Sequence, residues 1–332
     1  MVDDFGIKFQ SPFDLAHLIN HSRKRYKVSI GQENLFCGIS LNWNYKGKKV
    51  TMSLLKYIPS ALIQQNHKAP TKPQHSPHYF TPPKYGKKVQ TAPIAHTPLP
   101  LMKEDNKYVQ QTVGIYNWIA RVINSNMLPT VGTIATNWTL LSAQCLRQKI
   151  QQLLDYAATH PIPQLVYTAS QMHLWAHSDA AYLNESKSRS RAGGYAFLRD
   201  KPNIPIHPDA PVPPQNAPID VLNRVIDAVM SSAQEAETGA GYMNACNLVL
   251  IRQSLIEMGH PQGPTPIQFD NQYAVGLFED NVNPKRSKAM YMRFYWLRDR
   301  VRQEQFYLHW KKASKNLADY VTKHHSTKHH VQ

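Results

Sequence analysis

Four acidic side chains in the C-terminal half of the chain are of the type that divalent-metal chemistry uses. Asp179 and Asp270 each end a strand-like stretch, Glu237 lies in the first turns of a long predicted helix, and Asp319 lies on a predicted final helix. Mg²⁺ requires hard oxygen ligands from separate rigid elements. Several carboxylates can hold two ions about 3.5–4 Å apart against a phosphodiester. Taken singly, each acid fits an ordinary cap, turn or solvated charge better, because such acids are common on surfaces.

A mixed α/β segment would have to position these acids. Alternating apolar residues predict strands in QLVYTAS, MHLWAHSDAAY, GGYAFLRD, TPIQFDN, QFYLHWKK and a stretch near 219–230. Helical spacing predicts a long helix that ends at Gly259, a basic helix in SKAMYMRFYWLRDRVRQ, and a final helix in SKNLADYVTKH with Ser314 as its N-cap. A proline tract over 202–218 predicts a surface loop. This order of elements is typical of a mixed α/β layer fold.

The upstream part divides into a small α+β piece and a helical block. FDLAHLINHSRKRY predicts a helix, NLFCGISLNW and KKVTMSL predict strands joined by the turn at Tyr45-Lys46-Gly47, and SLLKYIPSALIQQ predicts another helix. A proline-rich stretch follows, which excludes a helix or a central strand there. Residues 105–159 carry apolar side chains at helical spacing throughout.

The charge balance points to a nucleic-acid partner. The formal net charge is +16 and the pI is about 9.6, which is typical of proteins that bind polyanions. No apolar run is long enough for a transmembrane helix, and no amphipathic basic helix suggests a membrane surface. We see no secretory signal, and the three cysteines are too far apart for a disulfide framework. We therefore expect an intracellular protein, cytoplasmic or nuclear, that does not bind membranes.

Two further clusters could carry function. A basic cluster precedes and follows the predicted last strand and is interpreted as the nucleic-acid-binding surface: Arg286, Lys288, Arg293, Arg298, Arg300, Arg302, Lys311 and Lys312. The alternative is a solvated helix face, which explains the interleaved aromatic residues but not the local excess of positive charge. The sequence HHSTKHH at 324–330 has metal-like spacing, but a disordered polar tail is the preferred interpretation.

The motifs, in their order, resemble the C-terminal part of copia-type LTR retrotransposon Pol polyproteins. HSDAAY, SSAQEAETGA, DNQYAVGL and NLADYVTK resemble the acidic motifs of that family's ribonuclease H domain, and RSKAMYMRFYWLRDRV resembles its basic helix. VDDFGIK resembles the reverse transcriptase metal-binding turn, LFCGISL its primer-grip strand, and VQQTVGIYNWIARV the helix after the polymerase. The resemblance covers nearly the whole chain. Thr238 departs from it, since the family usually has an aromatic residue there.

The resemblance implies a ribonuclease H-like mixed sheet flanked by helices, preceded by a partial reverse transcriptase palm and thumb and a helical connection. It divides the chain into a truncated palm and start of the thumb at 1–65, a Pro-rich linker at 66–104, the connection at 105–162, the ribonuclease H-like domain at 163–325, and a disordered His-rich tail at 326–332. The catalytic and metal-binding residues would be Asp179, Glu237, Asp270 and Asp319. Glu237 is chosen over Glu235 because the family's active glutamate is the second of its E-A-E. Mg²⁺ or Mn²⁺, with two ions, would be the cofactor.

The polymerase half is expected to be vestigial. Asp3 and Asp4 match the two aspartates of the reverse transcriptase turn. The third carboxylate and the fingers that bind the nucleotide would lie upstream of residue 1. We therefore expect no polymerase activity from this chain, and a solvated acidic pair at Asp3 and Asp4.

Two functions remain open at the level of sequence. The first is metal-dependent hydrolysis of RNA in RNA–DNA hybrids, within a retrotransposon-derived fragment that could belong to a longer Pol polyprotein. The second is a catalytically inert relic that binds nucleic acid non-specifically through its basic ends. The retained acids favour the first function, and the absence of the upstream polymerase elements favours the second.

Overall fold

The computed structural model describes residues 6–7, 9–31, 34–80, 101–139, 141–210, 216–278 and 291–331. Four of the residues to which the sequence assigns a role lie outside these ranges: Asp3, Asp4, Arg286 and Lys288. The assignments of those four therefore stay predictions. Within the described ranges, the chain forms two sheets and a helical block.

The first sheet has four strands and begins after an exposed helix. Helix α1 (Pro12–Arg23) starts at Ser11, whose hydroxyl accepts a hydrogen bond from the Phe13 backbone, with Pro12 in the first turn. The strands are β1 (Leu35–Phe36), β2 (Ile39–Asn44), β3 (Lys49–Ser53) and β4 (Gln164–Thr168). The predicted helix, the strand in KKVTMSL and the turn between β2 and β3 are confirmed, and Gly47 donates its N–H to Asn44 Oδ1 at 2.7 Å. The single strand predicted for NLFCGISLNW is instead a hairpin of β1 and β2, because Cys37 and Gly38 between them have positive φ angles.

Strand β4 joins this sheet although more than one hundred residues separate it from β3. It pairs antiparallel with β3, from Lys49 opposite Thr168 to Ser53 opposite Gln164. The sequence predicts the strand itself correctly but groups it with the strands that follow residue 163. The structure places it in the first sheet, so the first strand of the predicted ribonuclease H-like segment lies outside the sheet that carries the acids.

A helical block separates β3 from β4 in sequence, and the prediction of helices over 105–159 is confirmed. It consists of α2 (Tyr57–Gln64), α3 (Lys103–Val122), α4 (Leu128–Asn137) and α5 (Ala143–Thr159). The apolar faces of these helices meet in one core, in which Tyr116, Ile119, Leu146 and Ile150 are fully buried. Such a core stabilises helices that would be marginal in isolation.

The second sheet is mixed and has five strands in the order β7-β6-β5-β8-β9. The strands are β5 (His173–Glu185), β6 (Arg189–Arg199), β7 (Pro218–Val225), β8 (Thr265–Phe269) and β9 (Phe306–Trp310). Strands β5, β6 and β7 form an antiparallel meander, whereas β8 and β9 run parallel to β5. The parallel pairing of β5 with β8 requires a crossover, which contains helix α6 (Ala233–Glu257).

Helices pack on this mixed sheet as an α/β layer. Helices α7 (Gln272–Phe278) and α8 (Tyr291–Arg302) follow β8, and α8 places Phe294 and Leu297 in a core with Phe269, Phe306 and Leu308. Strand β8 is buried along its whole length, as expected for a parallel strand covered on both faces. Among the described residues, no helix combines the length and apolar character that crossing a bilayer requires.

The C-terminal segment differs from the sequence prediction. Ser314 lies inside a 3₁₀ turn (Ala313–Lys315) and is not a helix N-cap. The final helix is reduced to the single turn α9 (Asp319–Thr322), because buried Asn316 adopts an extended backbone there. Its side chain donates to Ser178 O at 2.8 Å and accepts from the Ala318 N–H at 3.1 Å. These bonds fix the chain against β5, so the helix begins several residues later than predicted.

The residues after 325 form a short helix where the sequence predicts a disordered tail. This helix, α10 (Thr327–Val331), is held by stacked rings. His325 and His329 stack with centroids 4.1 Å apart, and His329 stacks on Tyr320 at 5.4 Å. Aromatic contacts of this kind supply the packing that a five-residue helix cannot obtain from its own hydrogen bonds.

Candidate metal centre

Asp179 lies in the centre of the second sheet. It is on β5, directly opposite Gly193 of β6, and its side chain is 1% exposed. One carboxylate oxygen, Oδ2, accepts a hydrogen bond from the Thr322 hydroxyl. A buried charge of this kind is costly unless a cation or several donors compensate it. Its position therefore needs an explanation beyond packing.

Glu237 faces Asp179 from the second turn of α6. Ser232 caps this helix by accepting from the Glu235 N–H at 3.1 Å, and Glu235 Oε2 accepts from the Ser231 N–H at 2.7 Å. This reciprocal arrangement closely resembles a capping box, so Glu235 stabilises the start of the helix. Two residues later the helix has turned by roughly 200°, which directs Glu237 towards β5. Its Oε1 accepts from the Ala180 N–H at 3.3 Å.

Asp270 completes a group of three carboxyl groups. It directly follows β8, the neighbour of β5 in the sheet, and its side chain is half-buried. One oxygen of each of Asp179, Glu237 and Asp270 lies within 4.8 Å of the others. Three acids, the outermost of which are 91 positions apart in the sequence, thus converge from a strand, a helix and a loop. Asp319 is not a member of this closest group.

Asp319 lies beside the group and is held by two basic side chains. It is the first residue of α9, and its Oδ1 pairs with the Lys323 ammonium. His325 Nε2 lies 3.6 Å from the other oxygen, Oδ2. Lys323 also lies 3.7 Å from Asp179 Oδ2, so a single ammonium group links the two acids. All four acids selected from the sequence are therefore brought together at the central strand β5, three in direct proximity and one through Lys323.

The electrostatics of the group favour a cation. Burial raises the pKa of Asp179 to about 6, against the opposing effect of Lys323 and of the Thr322 hydrogen bond. Burial and the neighbouring Asp179 raise the pKa of Glu237 well above its ordinary range. The pKa of Asp270 is also raised, mainly by burial. Because these shifts reflect both burial and mutual repulsion, a bound divalent cation would relieve them.

The donor set fits Mg²⁺ or Mn²⁺. All members are carboxylate oxygens, which are the hard ligands these ions prefer. Glu237 Oε2 is buried and has no hydrogen-bond partner among the described residues. Buried polar atoms are nearly always satisfied, so an orphaned carboxylate oxygen beside two further carboxyl groups is the feature that a bound cation would explain. Asp179, Glu237 and Asp270 are the residues that would hold it.

The predicted basic cluster is only partly at the surface. Arg298 is 7% exposed and lies over the Phe294 ring, and Lys311 is 6% exposed and donates to Ala210 O at 2.7 Å. Arg302 and Lys312 are exposed, whereas Arg293 and Arg300 are half-buried over Tyr242 and Trp296. The assignment of this cluster to nucleic-acid binding stays a prediction, with Arg302 and Lys312 the best placed of the described members.

Three side chains that support the acids were not selected from the sequence. Thr322 and Lys323 contact Asp179, and Asn244 donates to Ser178 Oγ and Gly193 O beside it. The roles of Thr322 and Lys323 could be inferred from the sequence, because residues three and four positions after Asp319 must lie on its side of a helical turn. Asn244 could not have been found, since its role depends on how α6 lies across β5 and β6.

Comparisons with known proteins give only remote structural likenesses. No model of a known protein family matches the sequence, and no curated protein matches it. One similar solved structure is the N-terminal RNase H domain of rv2228c from Mycobacterium tuberculosis, determined as a fusion protein with maltose binding protein. The sequence identity is 10% and the TM-score is 0.31, and the match covers 46% of this chain and 91% of that chain. Another is LC11-RNase H1 in complex with an RNA/DNA hybrid, at 10% identity and a TM-score of 0.32 over 45% and 92%.

A third likeness is RNase H1 from the halophilic archaeon Halobacterium salinarum NRC-1, at 13% identity and a TM-score of 0.27 over 45% of this chain and 93% of that chain. At these identities and TM-scores, we transfer no functional residue from any of the three structures. The candidate site is defined by the carboxylates of this chain alone.

Proposed function

We propose that this chain is a metal-dependent ribonuclease that hydrolyses the RNA strand of RNA–DNA hybrids. The observation that supports the proposal most directly is the convergence of Asp179, Glu237 and Asp270, with one oxygen of each within 4.8 Å of the others. The choice of an RNA–DNA hybrid as the substrate rests on the resemblance of the four acidic motifs to copia-type ribonuclease H domains. The same resemblance supports an origin in a retrotransposon Pol polyprotein.

Some residues would bind the cation, and others would orient the carboxylates that bind it. Asp179, Glu237 and Asp270 would hold the cation, and Asp319 would be the fourth acid at the open side of the site. Divalent ions bound by such carboxylates supply a nucleophilic water and neutralise charge on the phosphodiester. Thr322 orients Asp179 through its hydroxyl, and the Ala180 N–H orients Glu237. Preorganised ligands of this kind avoid the cost of rearrangement during the reaction.

Hybrid recognition would depend on shape and charge and not on sequence. A-form-like duplexes are recognised through their minor groove, 2′-hydroxyls and backbone phosphates. The net charge of +16 provides the electrostatic attraction. The nuclease would therefore cut hybrids of unrelated sequence at similar rates, whereas duplex DNA, which has no 2′-hydroxyl, would not be cut.

The test is hydrolysis of a labelled RNA–DNA hybrid by the purified full chain. We expect cleavage with Mg²⁺ or Mn²⁺, none with EDTA, and none with duplex DNA in place of the hybrid. Asp179→Asn is the control against contaminating nuclease, because it keeps the side-chain shape but removes a charged ligand. A wild-type chain that binds hybrids but does not cut them with either metal would overturn the proposal in favour of an inert nucleic-acid-binding protein.

A further inference from the structure

Lys323 occupies a position that the proposed chemistry does not require. Its ammonium pairs with Asp319 Oδ1 and lies 3.7 Å from Asp179 Oδ2. Asp179 is 1% exposed, whereas the lysine side chain is 45% exposed. The ammonium thus lies against a buried carboxylate although the lysine side chain as a whole is partly exposed to solvent. It therefore lies beside Asp179, which is one of the three carboxylates that would hold the cation.

The single helical turn α9 places Lys323 and its neighbours beside Asp179. Asp319 begins α9, Thr322 ends it three residues later, and Lys323 follows four residues after Asp319. Residues at these spacings share one side of a helix. Thr322 and Lys323 accordingly both contact Asp179, and Lys323 also pairs with the aspartate on its own turn. The turn therefore presents an acid, a hydroxyl and an ammonium group to the same buried carboxylate.

We propose that Lys323 is a positioning residue that serves as the internal counter-cation of the acidic site, anchored by Asp319, and competes with the divalent ion for Asp179. This inference rests on the proposed function only in taking the carboxylate group to be a divalent-ion site. Without the ion, the ammonium would offset the repulsion among the acids and hold α9 against β5. When an ion binds, the ammonium would leave Asp179 and move towards solvent, to which the lysine side chain is already partly exposed.

The ammonium of Lys323 is a donor group in this site and not a ligand. It pairs with Asp319 and lies 3.7 Å from Asp179 Oδ2. An ammonium has donors but no lone pair, so it cannot itself bind a metal ion. A protonated lysine and a divalent cation next to the same carboxylate repel each other, so their binding must be antagonistic.

The experiment measures Mn²⁺ binding and thermal stability on the full chain. Free Mn²⁺ is counted in titrations of wild type, Lys323→Met, Lys323→Arg and the control Lys328→Met, which removes an exposed charge on α10. We expect Lys323→Met to bind Mn²⁺ on the order of tenfold more tightly, because a positive charge near the site is removed but was partly screened by solvent. Lys323→Arg keeps the charge and should bind nearly as wild type. Lys328→Met should not change the affinity.

Thermal unfolding separates this role from ordinary packing. In EDTA, Lys323→Met should unfold at a lower Tm than wild type, and saturating Mn²⁺ should raise its Tm by more than it raises that of wild type. A purely structural lysine would lower the Tm equally with and without Mn²⁺ and leave the Mn²⁺ affinity unchanged. That result would overturn the proposal.

A second pair of variants covers the case in which Lys323→Met does not fold without metal. Adding Asp319→Asn removes both members of the ion pair and restores the charge balance. The double variant should bind Mn²⁺ more tightly than Asp319→Asn alone, and equal or weaker binding would contradict the competition.

Different results would refute the nuclease proposal and the proposal for Lys323. A wild-type chain that never cuts hybrids refutes the nuclease, whereas a cutting chain with unchanged Mn²⁺ affinity in Lys323→Met refutes only the role of Lys323.

Discussion

Gly193 lies directly opposite Asp179 in the β5–β6 ladder, and a Cβ at Gly193 would lie 2.8 Å from the Ala318 carbonyl oxygen. Real Cβ atoms do not approach a backbone oxygen so closely. The absence of a side chain at this position therefore allows the segment before α9 to lie against the sheet. This close approach brings Asp319, Thr322 and Lys323 next to Asp179.

Replacing this glycine should separate α9 from Asp179. We expect Gly193→Ala to reduce hybrid cleavage by on the order of 100-fold, since displacements of about 1 Å have effects of that size. Cleavage of a labelled hybrid under single-turnover conditions measures this. Gly114→Ala on α3 is the matched control: nothing lies within 4 Å of its Cβ position, and alanine favours a helix by up to about 1 kcal/mol. Gly193→Ala cutting at the wild-type rate would show that α9 is not needed at its observed position.

The two glutamates of α6 should respond differently to the same substitution. Glu237→Gln removes a charged oxygen from the carboxylate group, so cleavage should collapse while hybrid binding survives. Glu235→Gln should cut at nearly the wild-type rate, because glutamine can still accept the Ser231 hydrogen bond at the helix start. Hybrid binding by fluorescence anisotropy and cleavage by gel assay test both variants. Equal loss of cleavage in the two variants would contradict the assignment of Glu237.

The aspartates should act as one unit. Asp179→Asn and Asp270→Asn should each abolish cleavage, and the double variant should be little worse than either single variant, because residues of one site are not additive. Asp319→Asn should impair cleavage more mildly, since Asp319 is not part of the closest group of three. Mn²⁺ titration of each variant, alongside cleavage rates, checks that metal binding is what changes. Additive rate losses in the double variant would indicate independent roles.

The sequence predicted the elements of the fold better than their pairing. Helical and strand periodicity located the helical block and all strands of the second sheet, because each is a local pattern. The pairing of β4 with β3 could not be predicted, since the hydrogen bonds between them depend on how the intervening helices pack. The final helix was predicted too long because the effect of Asn316, which bonds to Ser178 O, is a tertiary contact.

The candidate site shows the same division between local and long-range information. All four acids were selected from the order of motifs, and the structure brings them together at the central strand β5. The E-A-E pattern distinguished Glu237 from Glu235, and the structure gives Glu235 a separate contact at the helix start. The burial of Arg298 and Lys311 was not predictable, because a basic side chain in a helix or strand gives no sign of which neighbours cover it.

The stability of the metal-free protein should respond to pH through Asp179. Burial raises the pKa of Asp179 from 3.8 to about 6, so between these values the folded chain holds a proton that the unfolded chain has released. This group therefore lowers the free energy of unfolding as the pH rises through that window. Buried His177 acts in the opposite direction, because burial lowers its pKa to about 3 and the unfolded chain binds the proton first on acidification.

The comparison that isolates Asp179 is between wild type and Asp179→Asn in EDTA. From about pH 4 to about pH 7, the Tm of Asp179→Asn should rise relative to that of wild type, because the variant has no carboxylate to ionise. Circular dichroism melts at several pH values measure the difference, and histidine effects cancel because both proteins contain them. Added Mg²⁺ should stabilise wild type more at the higher pH, where the carboxylates are ionised. A constant Tm difference across the range would contradict the raised pKa.

The basic cluster should contribute to hybrid affinity in proportion to its exposure. Arg302 is exposed and Arg300 half-buried, whereas Arg298 is buried over Phe294. Each lost phosphate contact should flatten the dependence of log K on log salt by about 0.9 on a duplex. Replacing Arg300 and Arg302 with alanine should therefore flatten the slope by roughly one to two units. Anisotropy titrations of a labelled hybrid at several salt concentrations measure this slope.

Removing basic charges from another helix is the control for the salt dependence of hybrid binding. Lys103→Ala with Lys107→Ala removes two exposed charges from α3, and we expect it to leave the slope close to that of wild type because general net charge does not substitute for phosphate contacts. Arg298→Ala should lower the free energy of unfolding instead, since its aliphatic stem and guanidinium pack on an aromatic ring. If the double variant at Arg300 and Arg302 keeps the wild-type slope, these arginines form only a solvated helix face and the hybrid is held elsewhere on the chain.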